Sequence, residues 1–243
     1  MPRPLPLAHS LAAVPVLASL LALLLCAAPL RAAERPAVLP DTMAQRVLAC
    51  TSCHAKKDVN DQFFPRISGK PEGYLYNQLV NFRDGRRQFP LMTYMVDYLP
   101  DAYLKEIAAH FANEHLPPPP IQQTDASPAV LERGRVLVLQ GDAAIKVPAC
   151  IACHGEKLTG VAPSIPGLLG LPRDYVNAQF GAWKNKVRRA HAPDCMATVA
   201  ERLSLADVAA ISSWLGLQPV LADARPAAGI KRPLPIACGS APD

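Results

Sequence analysis

Cys50-Thr51-Ser52-Cys53-His54 and Cys150-Ile151-Ala152-Cys153-His154 are two copies of one pattern in a chain of 243 residues. Cys-x-x-Cys-His is the attachment sequence of a c-type haem. The chemistry needs two thiols, about one helical turn apart, to add across the haem vinyl groups, and a neighbouring histidine beneath the iron as proximal ligand. Cys50, Cys53, Cys150 and Cys153 are therefore the expected covalent anchors of two haem c groups, with His54 and His154 as iron ligands. A Cys-x-x-Cys pair can also be half of a zinc site or a redox dithiol. A zinc site would have to join pairs far apart in the chain, and neither pair has the βαβ setting of a thioredoxin.

The N-terminus sets the compartment. Residues 1–32 carry Arg3 and Arg31 as their only charges and contain an apolar run from Leu11 to Leu25. A basic start, a short apolar core and small residues describe a secretory signal peptide. The run is interrupted by Pro15 and falls short of the roughly 20 residues a spanning helix needs. Cleavage near Ala32 or Ala33 is expected, with retention as an uncleaved anchor left open. Lipidation at Cys26 is disfavoured by Leu25, where a small residue belongs. Attachment of c-type haem outside the bacterial cytoplasm makes the periplasm the expected location. Of the seven cysteines, Cys26 leaves with the signal, four serve the haems, and Cys195 and Cys238 remain. In an oxidising compartment an even remainder points to a disulfide, here one that staples the proline-rich tail near the second motif.

The formal charge of +5 is modest, and no basic run with interleaved aromatics is present, so nucleic acid is not an expected partner.

Along the chain, Asp41 or Thr42 caps a helix that reaches Cys50. A polar loop from Lys56 to Gln62 leads to Phe63-Phe64-Pro65. A helical period follows over Tyr74–Arg83, with Arg86-Arg87 at its C-terminal end. A loop carrying Met92 and Met95 precedes a helix from Asp101 with the stripe Leu104, Ile107, Ala108 and Phe111. Pro117-Pro118-Pro119-Pro120 cannot continue a helix and reads as a semi-rigid spacer. The plan then repeats. Ser127-Pro128 starts a helix, Cys150–His154 follows, and Ile165-Pro166 stands in register with Phe64-Pro65. Tyr74, Gln78 and Phe82 match Tyr175, Gln179 and Trp183, while Arg86-Arg87 resembles Arg188-Arg189 with a small shift. Ser204 with Asp207 forms a capping box for a last helix whose stripe is Leu205, Val208, Ile211 and Leu215. No β-alternation of any length appears, so an all-α tandem is expected. Its parts are a signal at 1–32, domains at 33–116 and 127–218 around a linker at 117–126, and a tail at 219–243.

A sixth iron ligand completes each site. Methionine raises the reduction potential because its soft thioether stabilises ferrous iron. Met196 is the only methionine after the second motif, with His191 as competitor. In the first half Met92 and Met95 compete. Met196 lies seven residues before Leu203 and Met92 seven before Leu99, so the repeat selects Met92 and leaves Met95 as a packing residue. The proximal histidines need an acceptor for the second ring nitrogen, and the carbonyls of Pro65 and Pro166 are candidates beside a simple turn-forming role.

The ordered set of Cys-x-x-Cys-His, Pro before Gly, Tyr-x-x-x-Gln, basic residues, a ligand Met and a final amphipathic helix resembles class I cytochrome c. Its duplication resembles the dihaem cytochrome c4 family over residues 41–112 and 127–217. Gly134 sits where the family's first and last helices cross, and no glycine occupies the matching place near Arg46. The resemblance implies two domains packed about a pseudo-twofold and a periplasmic electron carrier, often membrane-associated. Its donor would be a quinol-oxidising complex or dehydrogenase, its acceptor a terminal oxidase. The alternatives are the electron-accepting subunit of a dehydrogenase complex and a dihaem peroxidase. The methionine in each half argues against an open, peroxide-binding iron.

Overall fold

A computed structural model describes residues 40–54 and 63–241. The expected signal at 1–32, with Cys26, and the loop from Lys56 to Gln62 lie outside the described residues. Among those described, no helix is long and apolar enough to cross a membrane.

The first half comprises α1 (Met43–Arg46), α2 (Leu48–His54), α3 (Glu72–Arg83), α4 (Pro90–Val96) and α5 (Asp101–Ala112). Thr42 caps α1 through its side chain, which accepts from the Gln45 amide. Helix α3 starts after Pro71, and α5 starts after Pro100. Their apolar stripes close on one core in which Val47, Leu104, Ala108 and Phe111 are almost fully buried. Each large aliphatic or aromatic side chain so buried contributes roughly 1.5–3 kcal/mol.

The second half repeats this with α6 (Pro128–Leu139), α7 (Ile151–His154), α8 (Arg173–Lys184), α9 (Cys195–Arg202) and α10 (Leu205–Gly216). Ser127 caps α6 and presents Pro128 at its first position, where a missing N–H costs nothing. The capping box of Ser204 and Asp207 is formed at both hydrogen bonds. Leu137, Val138, Ala200, Ile211 and Leu215 form the second core. At Gly134, α6 lies directly on α10: a Cβ there would stand 2.2 Å from the Ala210 carbonyl oxygen. In the first half α1 is a single turn, and Arg46 approaches α5 through Glu106 at 3.5 Å and the ring of Tyr103.

Two expectations are corrected. The segment holding Met92 and Met95 is not a loop but helix α4, because Pro90 sits in its first turn with φ already set, and Val96 anchors it in the core. Leu205 is 75% exposed, since the first residue after the cap turns away from the α10 stripe. A short antiparallel pair, β1 (Gly160–Val161) and β2 (Ile165–Pro166), is present within the all-α plan. The small shift between the basic pairs is one residue: Arg87 rather than Arg86 is the counterpart of Arg188, and the two form an antiparallel bridge.

The chain between the halves is pinned rather than free-standing. Arg66 donates to the Pro117 carbonyl at 2.6 Å, and Gln122 bonds the Leu171 carbonyl and the Arg173 amide. The tail is also held. Ala227 exchanges backbone hydrogen bonds with Gly160 and Ala162, Gly239 donates to Pro193, and Cys238 is disulfide-bonded to Cys195 as the cysteine arithmetic expects.

Candidate functional site

Each Cys-x-x-Cys-His run forms a helical turn that presents its two thiols on one side. In the second half the His154 amide donates to the Cys150 carbonyl at 2.8 Å, which fixes the turn. Burial pushes the Cys150 thiol up to about 12 and raises Cys50 and Cys153 as well, so these sulfurs sit in apolar surroundings. All four are unpaired.

Both imidazoles are oriented in the same way. His54 Nδ1 is 2.9 Å from the Pro65 carbonyl, and His154 Nδ1 is 2.7 Å from that of Pro166. With the proton on Nδ1, each ring turns a neutral Nε2 lone pair away from the turn, as an iron ligand requires. Burial lowers the proton affinity of both rings, with added repulsion from Arg87 at His54 and from Lys70 at His154. The turns that bring these carbonyls into place end at Gly69 and Gly170, with φ of +72° and +73°, values that suit glycine.

In the second half Cys150, Cys153, His154 and Met196 line one cavity, and His191 is not among its lining residues. Phe180, Val199, Leu203, Ile211 and Leu215 make its apolar wall. Lys70, Tyr74, Gln78, Tyr175, Gln179 and Arg188 make a polar, cationic one. The indole N–H of Trp183, on the same cavity, is buried without an acceptor from the protein. A flat apolar ring with carboxylate arms and two thioether anchors fits this donor set. In the first half Cys50, Met92 and Met95 all pack on the core. Matching Met92 to Met196 places Val96 on Ala200, both buried. Matching Met95 instead would place Tyr98, 93% exposed, on Val199, which is 9% exposed.

The repeat residues meet across the boundary between the halves. Arg87 donates to Gln78 at 2.9 Å, to Gln179 at 2.9 Å and to the Tyr175 hydroxyl at 3.1 Å. Arg188 donates to Gln179 at 2.7 Å and to Gln78 at 3.2 Å, and it also hydrogen-bonds Tyr74. Arg87 stacks on Phe82 at 4.5 Å and Arg188 on Trp183 at 4.0 Å. The backbones join as well: Gln88 donates to Val187 and Arg189 to Arg86. Burial and the neighbouring Arg87 both lower the proton affinity of Arg188. Burial pushes Tyr175 up, but Arg87, Arg188 and Lys70 outweigh it and leave its hydroxyl below the usual range. In the sequence these residues form a repeat, with Arg86-Arg87 at a helix end. That the matched residues touch each other is a tertiary fact that alignment alone does not carry.

The chain is 34% identical over 174 residues to a thiosulfate dehydrogenase electron acceptor of Thiomonas intermedia, covering 71% of this chain and 79% of that one. It is 32% identical to cytochrome c4 of Pseudomonas aeruginosa, covering 70% and 84%. The chain belongs to the dihaem cytochrome c4 family. No family model matches the chain. Among solved structures, reduced recombinant cytochrome c4 from Pseudomonas stutzeri superposes with a TM-score of 0.60 at 28% identity, over 71% of this chain and 95% of that one. A thiosulfate dehydrogenase from Marichromatium purpuratum gives 0.63 at 27% identity, over 72% of this chain and 37% of that longer one. This cytochrome is thus a tandem of class I cytochrome c domains that carries two covalently bound haem c groups and transfers electrons. The thiosulfate dehydrogenase electron acceptor and the cytochromes c4 that it matches in sequence are electron carriers rather than enzymes.

Proposed function

We propose that the protein is a periplasmic one-electron carrier built of haem domains at 33–116 and 127–218. One haem is bound through Cys50 and Cys53 with His54 and Met92 as axial ligands. The other is bound through Cys150 and Cys153 with His154 and Met196. The observation that carries this reading is the paired geometry of His54 on Pro65 and His154 on Pro166, repeated on either side of one interface. A haem supplies a one-electron couple; the residues do the rest. The proline carbonyls hold each imidazole in one tautomer, the methionines close the remaining face to oxygen and peroxide, and the apolar wall excludes water, which favours the ferrous state. The likeness to two thiosulfate dehydrogenase electron acceptors supports a dehydrogenase as electron donor; the acceptor in this reading is a terminal oxidase.

Redox-titrated optical spectra of the purified protein test the assignment. The weak near-infrared band of Met–iron ligation should fall by half in Met92→Ala and by half in Met196→Ala, and stay whole in Met95→Ala. A high-spin wild type, or turnover of peroxide, would overturn the carrier reading.

A further inference from the structure

Lys70 breaks the symmetry of the interface. Tyr74 is answered by Tyr175, Gln78 by Gln179 and Arg87 by Arg188, all at the same spacing in the chain. At that spacing Lys70 is answered by Leu171, which packs on the core of its own half. Lys70 instead crosses over. Its ammonium donates to the Gly167 carbonyl at 3.3 Å and lines the cavity of Cys150, Cys153 and His154. Gly167 follows Pro166, the residue that holds His154. Among the described residues, no carboxylate lies within ion-pair distance of this ammonium. A cation seated in a largely apolar cavity, satisfied by one neutral carbonyl, calls for an anion from whatever occupies that cavity.

We propose that Lys70, contributed by the first half, is a positioning residue for the haem of the second: its ammonium pairs with a carboxylate of that haem across the domain boundary and raises its reduction potential above that of the first. The inference rests on haem attachment at Cys150 and Cys153. An oxidised haem carries one more positive charge than a reduced one, so a fixed ammonium nearby disfavours the oxidised form. Coulomb's law at an effective dielectric of about 20 makes a charge within roughly 10 Å worth about tenfold in a one-electron equilibrium, or about 59 mV. Arg87 and Arg188 act on both halves and largely cancel in the difference, whereas Lys70 has no partner of its kind at Leu171. An electron entering at the first haem therefore settles on the second, which gives the relay a direction.

Spectroelectrochemical titration of the full dihaem protein tests this, with Met92→His lowering the first couple so that each wave can be assigned to its haem. In Lys70→Gln, which keeps a donor for Gly167, the second haem should lose about tenfold in its electron equilibrium relative to the first, and the melting temperature should hold. Lys70→Arg should retain the wild-type gap. An unchanged gap in Lys70→Gln, a shift in the first haem only, or an equal loss in Lys70→Arg would each overturn the proposal. A wild-type mass lacking two haems would instead sink the attachment reading itself.

Discussion

Removing the Cys195–Cys238 disulfide should loosen the second haem site and leave the first untouched. The bridge closes a loop with a sequence separation of 43 residues. In the chain-entropy model, a loop of that size restrains the unfolded chain by about 4 kcal/mol, which is an upper figure for the loss. At 2–4 °C per kcal/mol, the Cys195→Ala/Cys238→Ala double variant should melt about 8–16 °C lower. The functional consequence follows from position: Cys195 precedes the proposed ligand Met196, and Leu234, Ile236, Cys238 and Ser240 of the tail line the same cavity. Without the bridge the tail keeps backbone ties such as Gly239 to Pro193, the contacts of Ser240 with His191 and Asn77, and the apolar packing of Leu234 and Ala241 on Val161 and Ile165. Water then reaches the cavity, and the potential of the second haem falls while the first, in the same molecule, serves as control. Calorimetry with and without reductant reads the stability, and redox titration reads the two couples. An unchanged melting temperature together with unchanged potentials would refute the view that the tail is a working wall of the site.

Two further outcomes follow from the packing. Gly134→Ala forces a methyl against the Ala210 carbonyl, where backbone must give way. Overpacking outweighs the gain in helix propensity and should cost about 1–3 kcal/mol, read as a lowered denaturation midpoint with both haems still bound. Acid should weaken the second half through Arg133, which bridges Asp142 at 2.8 Å and Asp207 at 2.7 Å. Hydrogen bonding to Arg133 lowers Asp142, while for Asp207 burial opposes and the bonds from Ser204 and Arg133 prevail, so both lie below the ordinary 3.8. Folded values below the unfolded value mean stability that is present above about pH 4 and lost as pH falls through the folded values. Thermal midpoints across that range should drop, and Arg133→Gln should flatten the drop.

What could be read in the sequence was whatever a short spacing or a repeat encodes. The attachment runs, the capping box at Ser204, the proline carbonyls and the leftover pair of cysteines each depend on residues whose chemistry is local or countable. Helix α4 was hidden because Phe89-Pro90 looks like a break until Val96 is seen to be buried. The roles of Lys70 and Arg87 were hidden because both reach across the chain, and nothing in their own neighbourhoods says so. The tail escaped for another reason: Ala227 joins Val161 through backbone atoms, which leave no signature in side-chain pattern.

The twinned contacts of Arg87 with Gln179 and Arg188 with Gln78 have the form of an isologous dimer interface, written into a single polypeptide. Two separate copies would have to meet by diffusion, and each would have to carry the same sequence. Tethering makes their meeting independent of concentration and releases them from identity. One copy was then free to keep a leucine where the other has a lysine, and to grow a tail that its twin lacks.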